Sequence, residues 1–102
     1  MGFGNLAKMA QQMQAEMARV QAELDVLTVE GSAGGGAVRA TVSGKQELLA
    51  IAIDPEVVDP ADVEMLQDLV MAAVNDALNE AKSEAEQRMA AVTGGLRLPG
   101  MG

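Results

Sequence analysis

The feature that most constrains this chain is an uninterrupted helical pattern in its C-terminal half. Apolar residues recur at Val63, Leu66, Val70, Val74, Ala77, Ala81, Ala85 and Val92, mostly three or four apart, and nothing breaks the run before Gly94-Gly95. Asp59-Pro60-Ala61-Asp62 reads as its start. Asp59 can accept from free backbone N–H groups, Pro60 suits the first helical turn, and Asp62 complements the helix dipole. At about 1.5 Å per residue such a helix runs roughly 50 Å, whereas a compact domain of about 100 residues is only some 34 Å across. A chain of 102 residues cannot cover this helix by itself. A second copy is the simplest cover for the apolar stripe, so a homodimer is expected.

A second stripe lies near the N-terminus, where Leu6, Met9, Met13, Met17, Val20, Leu24 and Leu27 are spaced by three or four. The average spacing of about 3.5 residues suits a coiled-coil seam as well as a core-facing helix. The dimer interface is accordingly expected on Leu6, Met9, Met13, Met17, Val20 and Leu24 of the first helix, with Val70 and Val74 of the second. Between the helices the period changes to two. Val38, Ala40 and Val42 alternate with Arg39, Thr41 and Ser43, preceded by a turn at Gly34-Gly35-Gly36. The run Leu48-Leu49-Ala50-Ile51-Ala52-Ile53, stopped by Asp54-Pro55, is apolar at every position and reads as a central strand. With a strand around Val29, three antiparallel strands are expected. The fold class is α+β, ordered helix, three strands, long helix, in one domain spanning 1–102. A glycine-rich tail from about residue 94 is expected to be mobile or only lightly docked.

Residue types missing from the chain narrow its chemistry. There is no Cys, His, Trp or Tyr, and Phe3 is the sole aromatic, so the core must be aliphatic. Lack of cysteine fits a reducing compartment, and no stretch has the eighteen or so apolar residues of a membrane span or the pattern of an export signal. A soluble cytoplasmic protein without membrane contact is expected. Gly34-Gly35-Gly36 has no Lys-Ser/Thr pair after it and leads into a strand, so it reads as a turn and not a phosphate loop. The acidic cluster Asp54, Glu56, Asp59, Asp62 and Glu64 lacks the ligand spacing of a calcium loop and reads as capping and solvation. Large side chains able to build a pKa-shifting pocket are scarce. The chain therefore reads as no enzyme, with no catalytic residues, metal site, cofactor or small-molecule substrate.

Fifteen acidic and seven basic residues give a formal net charge of −8, which repels polyanions at long range. Lys8 and Arg19 share one face of the first helix with Gln12, opposite the apolar seam. Glu16 and Glu23 stand three before and four after Arg19, and Glu84 stands four before Arg88, so both arginines have ion-pair partners within reach.

Taken in order, several stretches resemble the YbaB/EbfC family of bacterial nucleoid-associated proteins. They are the Met- and Gln-rich segment Met9 to Met17, the block from Val29 to Val38, and Ile53-Asp54-Pro55-Glu56-Val57-Val58-Asp59-Pro60. They continue with the run from Val63 to Val70, Ala72-Ala73-Val74-Asn75-Asp76-Ala77, and Thr93-Gly94-Gly95-Leu96. The resemblance implies a cytoplasmic, nucleoid-associated homodimer whose long helices project as arms around double-stranded DNA, influencing nucleoid organisation or gene expression. It also implies that DNA contact falls on Lys8 and Arg19, with Lys82, Arg88 and Arg97 as further positions, although members of the family carry more lysines on the first helix. Without stacking aromatics, and with few side chains suited to base readout, weak sequence preference is expected. The competing expectation is an acidic adaptor that grips a protein partner through its methionine-rich helices and does not touch DNA.

Overall fold

A computed structural model describes residues 2–94 of the chain. Helix α1 (Gly2–Val26) leads into strands β1 (Thr28–Ala33), β2 (Val38–Ser43) and β3 (Leu48–Ile53). A single 3-10 turn (Pro55–Val57) then precedes helix α2 (Val63–Gly94). The strands form one antiparallel sheet in the order β1-β2-β3. The expected α+β architecture is what the chain adopts.

Alternation in β2 decides which face of the sheet is covered. Val38, Ala40 and Val42 are fully buried against Ala73, Ala77 and Ala81 of α2, while Arg39 on the opposite face is exposed. The closest line of α2 is thus made of alanines at intervals of four, with Val70, Val74 and Leu78 packed beside them and Val63 left open. Small side chains let helix and sheet approach closely, and Gly31 of β1 is the tightest point. A Cβ placed there would overlap the backbone nitrogen of Ala77 and lie 2.7 Å from the carbonyl oxygen of Ala73. The β1–β2 turn uses three glycines with positive φ, Gly34, Gly35 and Gly36, a conformation that L side chains rarely adopt. The β2–β3 turn is closed by the buried Ser43, whose Oγ accepts from the backbone N–H groups of Lys45 and Glu47.

Two expectations need correction. The run from Leu48 to Ile53 is an edge strand, not a central one, because β2 sits between it and β1. Ile51 and Ile53 pair with Ala40 and Val38 and so point to the same side as the core, yet they keep 38% and 39% of their surface exposed. The reason is that α2 lies over β1 and β2 and stops short of β3. The start of α2 also falls later than Asp59-Pro60. Asp62 is the cap, with Oδ1 accepting from the N–H of Met65, and Asp59 accepts from the N–H of Ala61 within a tight turn ahead of the helix.

A second, smaller core joins the two helices. Val20 and Leu24 are buried with Val92, and Leu27, Ala85 and Met89 pack around them. Beyond the sheet α2 therefore continues along the last turns of α1, and the two run antiparallel. The residues of α1 that precede Val20 are exposed throughout the described part and project past this contact. At about 1.5 Å per residue that projection is roughly 27 Å long.

Replacing Gly31 by alanine should push β1 away from α2. Overpacking of this kind costs about 2 kcal/mol, which in a domain of this size lowers Tm by roughly 10 °C. A thermal melt followed by circular dichroism checks this, and an unchanged Tm would refute the close approach.

Candidate nucleic-acid interface

The seven cations of the chain are its scarcest chemical resource, and the fold commits several of them to local ion pairs. Arg19, exposed on α1, donates from Nη2 to Glu16 at 2.5 Å and from Nη1 to Glu23 at 2.7 Å. The hydrogen bond to Glu16, reinforced by the charges of Glu16 and Glu23, raises the guanidinium pKa above its ordinary value. Arg88 of α2 bridges the helices, donating from Nη1 to Glu23 at 2.7 Å and from Nε to Glu84 at 3.0 Å. Glu23 accordingly accepts from one arginine on each helix, at the edge of the Val20–Leu24–Val92 core. The pairings that the spacing suggested for Arg19 and Arg88 are both present, and the contact between Arg88 and Glu23 is one that spacing along a single helix could not reveal.

Three cations form no ion pair among the described residues. Lys8 stands exposed on the projecting part of α1, Lys82 is exposed on α2, and Arg39 is exposed on the open face of the sheet between Ser32 and Ala52. Arg39 did not figure among the sequence candidates, although its place in the β2 alternation marks it as outward. Lys45 pairs with Asp25 at 2.5 Å and ties the β2–β3 turn to the end of α1. Arg97 lies outside the described residues. Lys8 and Lys82 are therefore not brought together with Arg19 and Arg88 in one cluster of free charge.

The negative charge is segregated as well. Of the fifteen acidic residues, eight lie between Asp54 and Glu80, a stretch containing no Lys or Arg. Elsewhere acids and bases balance, so the net −8 resides in that stretch. It occupies the turn after β3 and the first half of α2, at the far end of the molecule from the projecting part of α1. From Val63 to Val92 alone α2 covers about 43 Å, several Debye lengths at physiological salt. Four of these acids serve the backbone: Asp54, Asp59, Asp62 and Asp76 accept from the N–H groups of Glu56, Ala61, Met65 and Ser32.

Apolar surface is distributed differently from the sequence expectation. Val20 and Leu24 are occupied within the chain by α2, and Val70 and Val74 pack against its own sheet, whereas Leu6, Met9, Met13 and Met17 remain exposed. Sequence reasoning missed the exposed apolar residues Leu48, Leu49, Ile51 and Ile53 of β3; Val58, Val63 and Met65, nearby in the chain, are exposed too. The signal was present in the run of apolar residues on both faces of β3, which a single chain does not bury.

Comparison with known proteins places this arrangement. The sequence pattern of the YbaB/EbfC DNA-binding family matches residues 1–96. A nucleoid-associated protein of Moorella thermoacetica is 56% identical over 103 residues, covering 98% of this chain and 99% of that protein. Another from Chloroflexus aurantiacus is 55% identical over 92 residues, covering 90% and 92%. The crystal structure of an uncharacterized Helicobacter pylori protein superposes with a TM-score of 0.73 at 25% identity, covering 95% of this chain and 99% of that one. On the strength of the match along nearly its whole length, the chain belongs to the YbaB/EbfC DNA-binding family.

Proposed function

We propose that this protein is a nucleoid-associated, cytoplasmic homodimer that holds duplex DNA between projecting α1 arms, with weak sequence preference, and so influences nucleoid organisation or gene expression. Membership of a DNA-binding family and the names of its close relatives carry this reading. The segregation of charge supports it. A chain of net charge −8 is a poor DNA ligand if the charge is spread evenly, but here the acidic stretch lies remote from the arm, and affinity depends on local neutralisation of phosphates. Lys8 is the cation best placed to contact phosphate, because it is exposed on the arm and forms no ion pair among the described residues. Arg19 and Arg88 contribute less while Glu16, Glu23 and Glu84 hold them.

The uncovered edge supports the dimer. An exposed strand with unpaired backbone groups and apolar residues on both faces is a template for a second chain, and a second copy hides it by symmetry. Leu6, Met9, Met13 and Met17 offer further apolar area along the arms. Ile51→Lys is expected to split the dimer, seen by light scattering as a fall from twice the chain mass to 10.5 kDa. A variant that stays dimeric would take β3 out of the interface. Lys8→Glu should weaken DNA binding on the order of tenfold on every sequence while the dimer remains folded, since it reverses one exposed charge on each of two arms. Fluorescence anisotropy on a labelled duplex checks this, and undiminished affinity would move the contact away from the arm. Glu16→Gln combined with Glu23→Gln should free Arg19 and steepen the log–log dependence of affinity on salt by about 2, at roughly 0.9 per added phosphate contact in each protomer.

A further inference from the structure

The arm is poor in charge and rich in amides. From Gly2 to Ala15 the only charged side chain is Lys8, while Asn5, Gln11, Gln12 and Gln14 fall in the same stretch. At about 100° per residue, Asn5, Lys8, Gln11 and Gln12 fall within an arc of roughly 120°. That arc lies opposite the seam of Leu6, Met9, Met13 and Met17, which continues into the buried Val20 and Leu24. All four polar residues are exposed, and no side chain among them forms a hydrogen bond or ion pair with another described residue. Each amide carries two N–H donors and one carbonyl acceptor. Asn5 and Gln12 lie one turn on either side of Lys8, so an ammonium seated on a phosphate brings both amides to the flanking backbone of the same strand.

Resting on the DNA-binding reading above, we propose that each arm holds the duplex chiefly through neutral hydrogen bonds, with the amides of Asn5, Gln11 and Gln12 donating to phosphate oxygens around a single Lys8 contact. The arm thereby offsets its lack of cations without the counterion release that many ion pairs would bring. Phosphate oxygens accept from amide side chains as they do from cations, and these contacts carry no sequence information. A dimer with one such cation per arm makes two charge contacts, which at about 0.9 each give a log–log salt slope near −2.

The test is fluorescence anisotropy of the full-length dimer on labelled A·T-rich and G·C-rich duplexes of equal length, from about 50 to 200 mM salt. The expected results are a slope near −2 and affinities for the two duplexes that agree within about threefold. Gln11→Ala with Gln12→Ala should lose about tenfold in affinity at every salt concentration with the slope unchanged. Lys8→Ala should instead flatten the slope. Alanine is a better helix former than glutamine, so the double variant keeps α1, which circular dichroism verifies. A wild-type slope of about −4 or steeper would overturn the proposal in favour of ion pairs. Full affinity in the double variant would overturn it too, and a tenfold preference for one duplex would replace it with readout of base edges. Absence of binding at the lowest salt would overturn the DNA-binding reading itself, an outcome distinct from the other three.

Discussion

The close approach of α2 to β1 and β2 is the constraint on which the rest of the structure depends. Alanines at 73, 77 and 81 and the bare backbone of Gly31 let the helix settle onto the sheet with almost no side-chain spacer. Close packing there replaces the aromatic bulk the chain lacks, because dispersion and apolar burial both grow as surfaces approach without voids. The position of α2 has two consequences. Lying over β1 and β2, it leaves the inward side of β3 uncovered, and by continuing past the sheet it meets Val20 and Leu24 of α1. An exposed edge and a projecting arm both arise from one packing choice.

Electrostatics then divides the molecule. The end formed by the turn after β3 and the first half of α2 carries the whole excess of negative charge, and Lys8 is the single charge on the arm that no ion pair holds among the described residues. Between them, Glu23 draws Arg19 and Arg88 into a network that locks α1 to α2. In this division cations serve the architecture at the junction of the helices, and polar amides with one lysine lie exposed on the projecting part of α1. The acidic excess and the projecting part of α1 thus sit at opposite ends of the molecule, so the charge repulsion of the one is weak at the other.

Much of this was legible before any coordinates. Periodicity of 3.6 and 2 located both helices and the alternating β2, and the ion pairs of Arg19 with Glu16 and Glu23 followed from spacing on a single helix. Errors arose where a residue's environment depends on elements distant in the chain. The apolar run of β3 looked central because burial on both faces is the usual reason for such a run, yet the fold puts it at the edge. Val20 and Leu24 looked like part of an intermolecular seam, and α2 of the same chain covers them. Arg39 was overlooked because no local motif surrounds it.

The sequence by itself determined the order of elements, the buried face of β2, the absence of cysteine and histidine chemistry, and membership of a DNA-binding family, since each depends on residue type and local spacing. Only the tertiary structure decided which edge strand α2 leaves uncovered, which part of α1 projects, and which cations are already neutralised. Those outcomes depend on where α2 lies across the sheet and on contacts such as Arg88 to Glu23, which link residues 65 positions apart. Short-range periodicity carries no record of such pairings, because they are set by the packing of whole elements against one another.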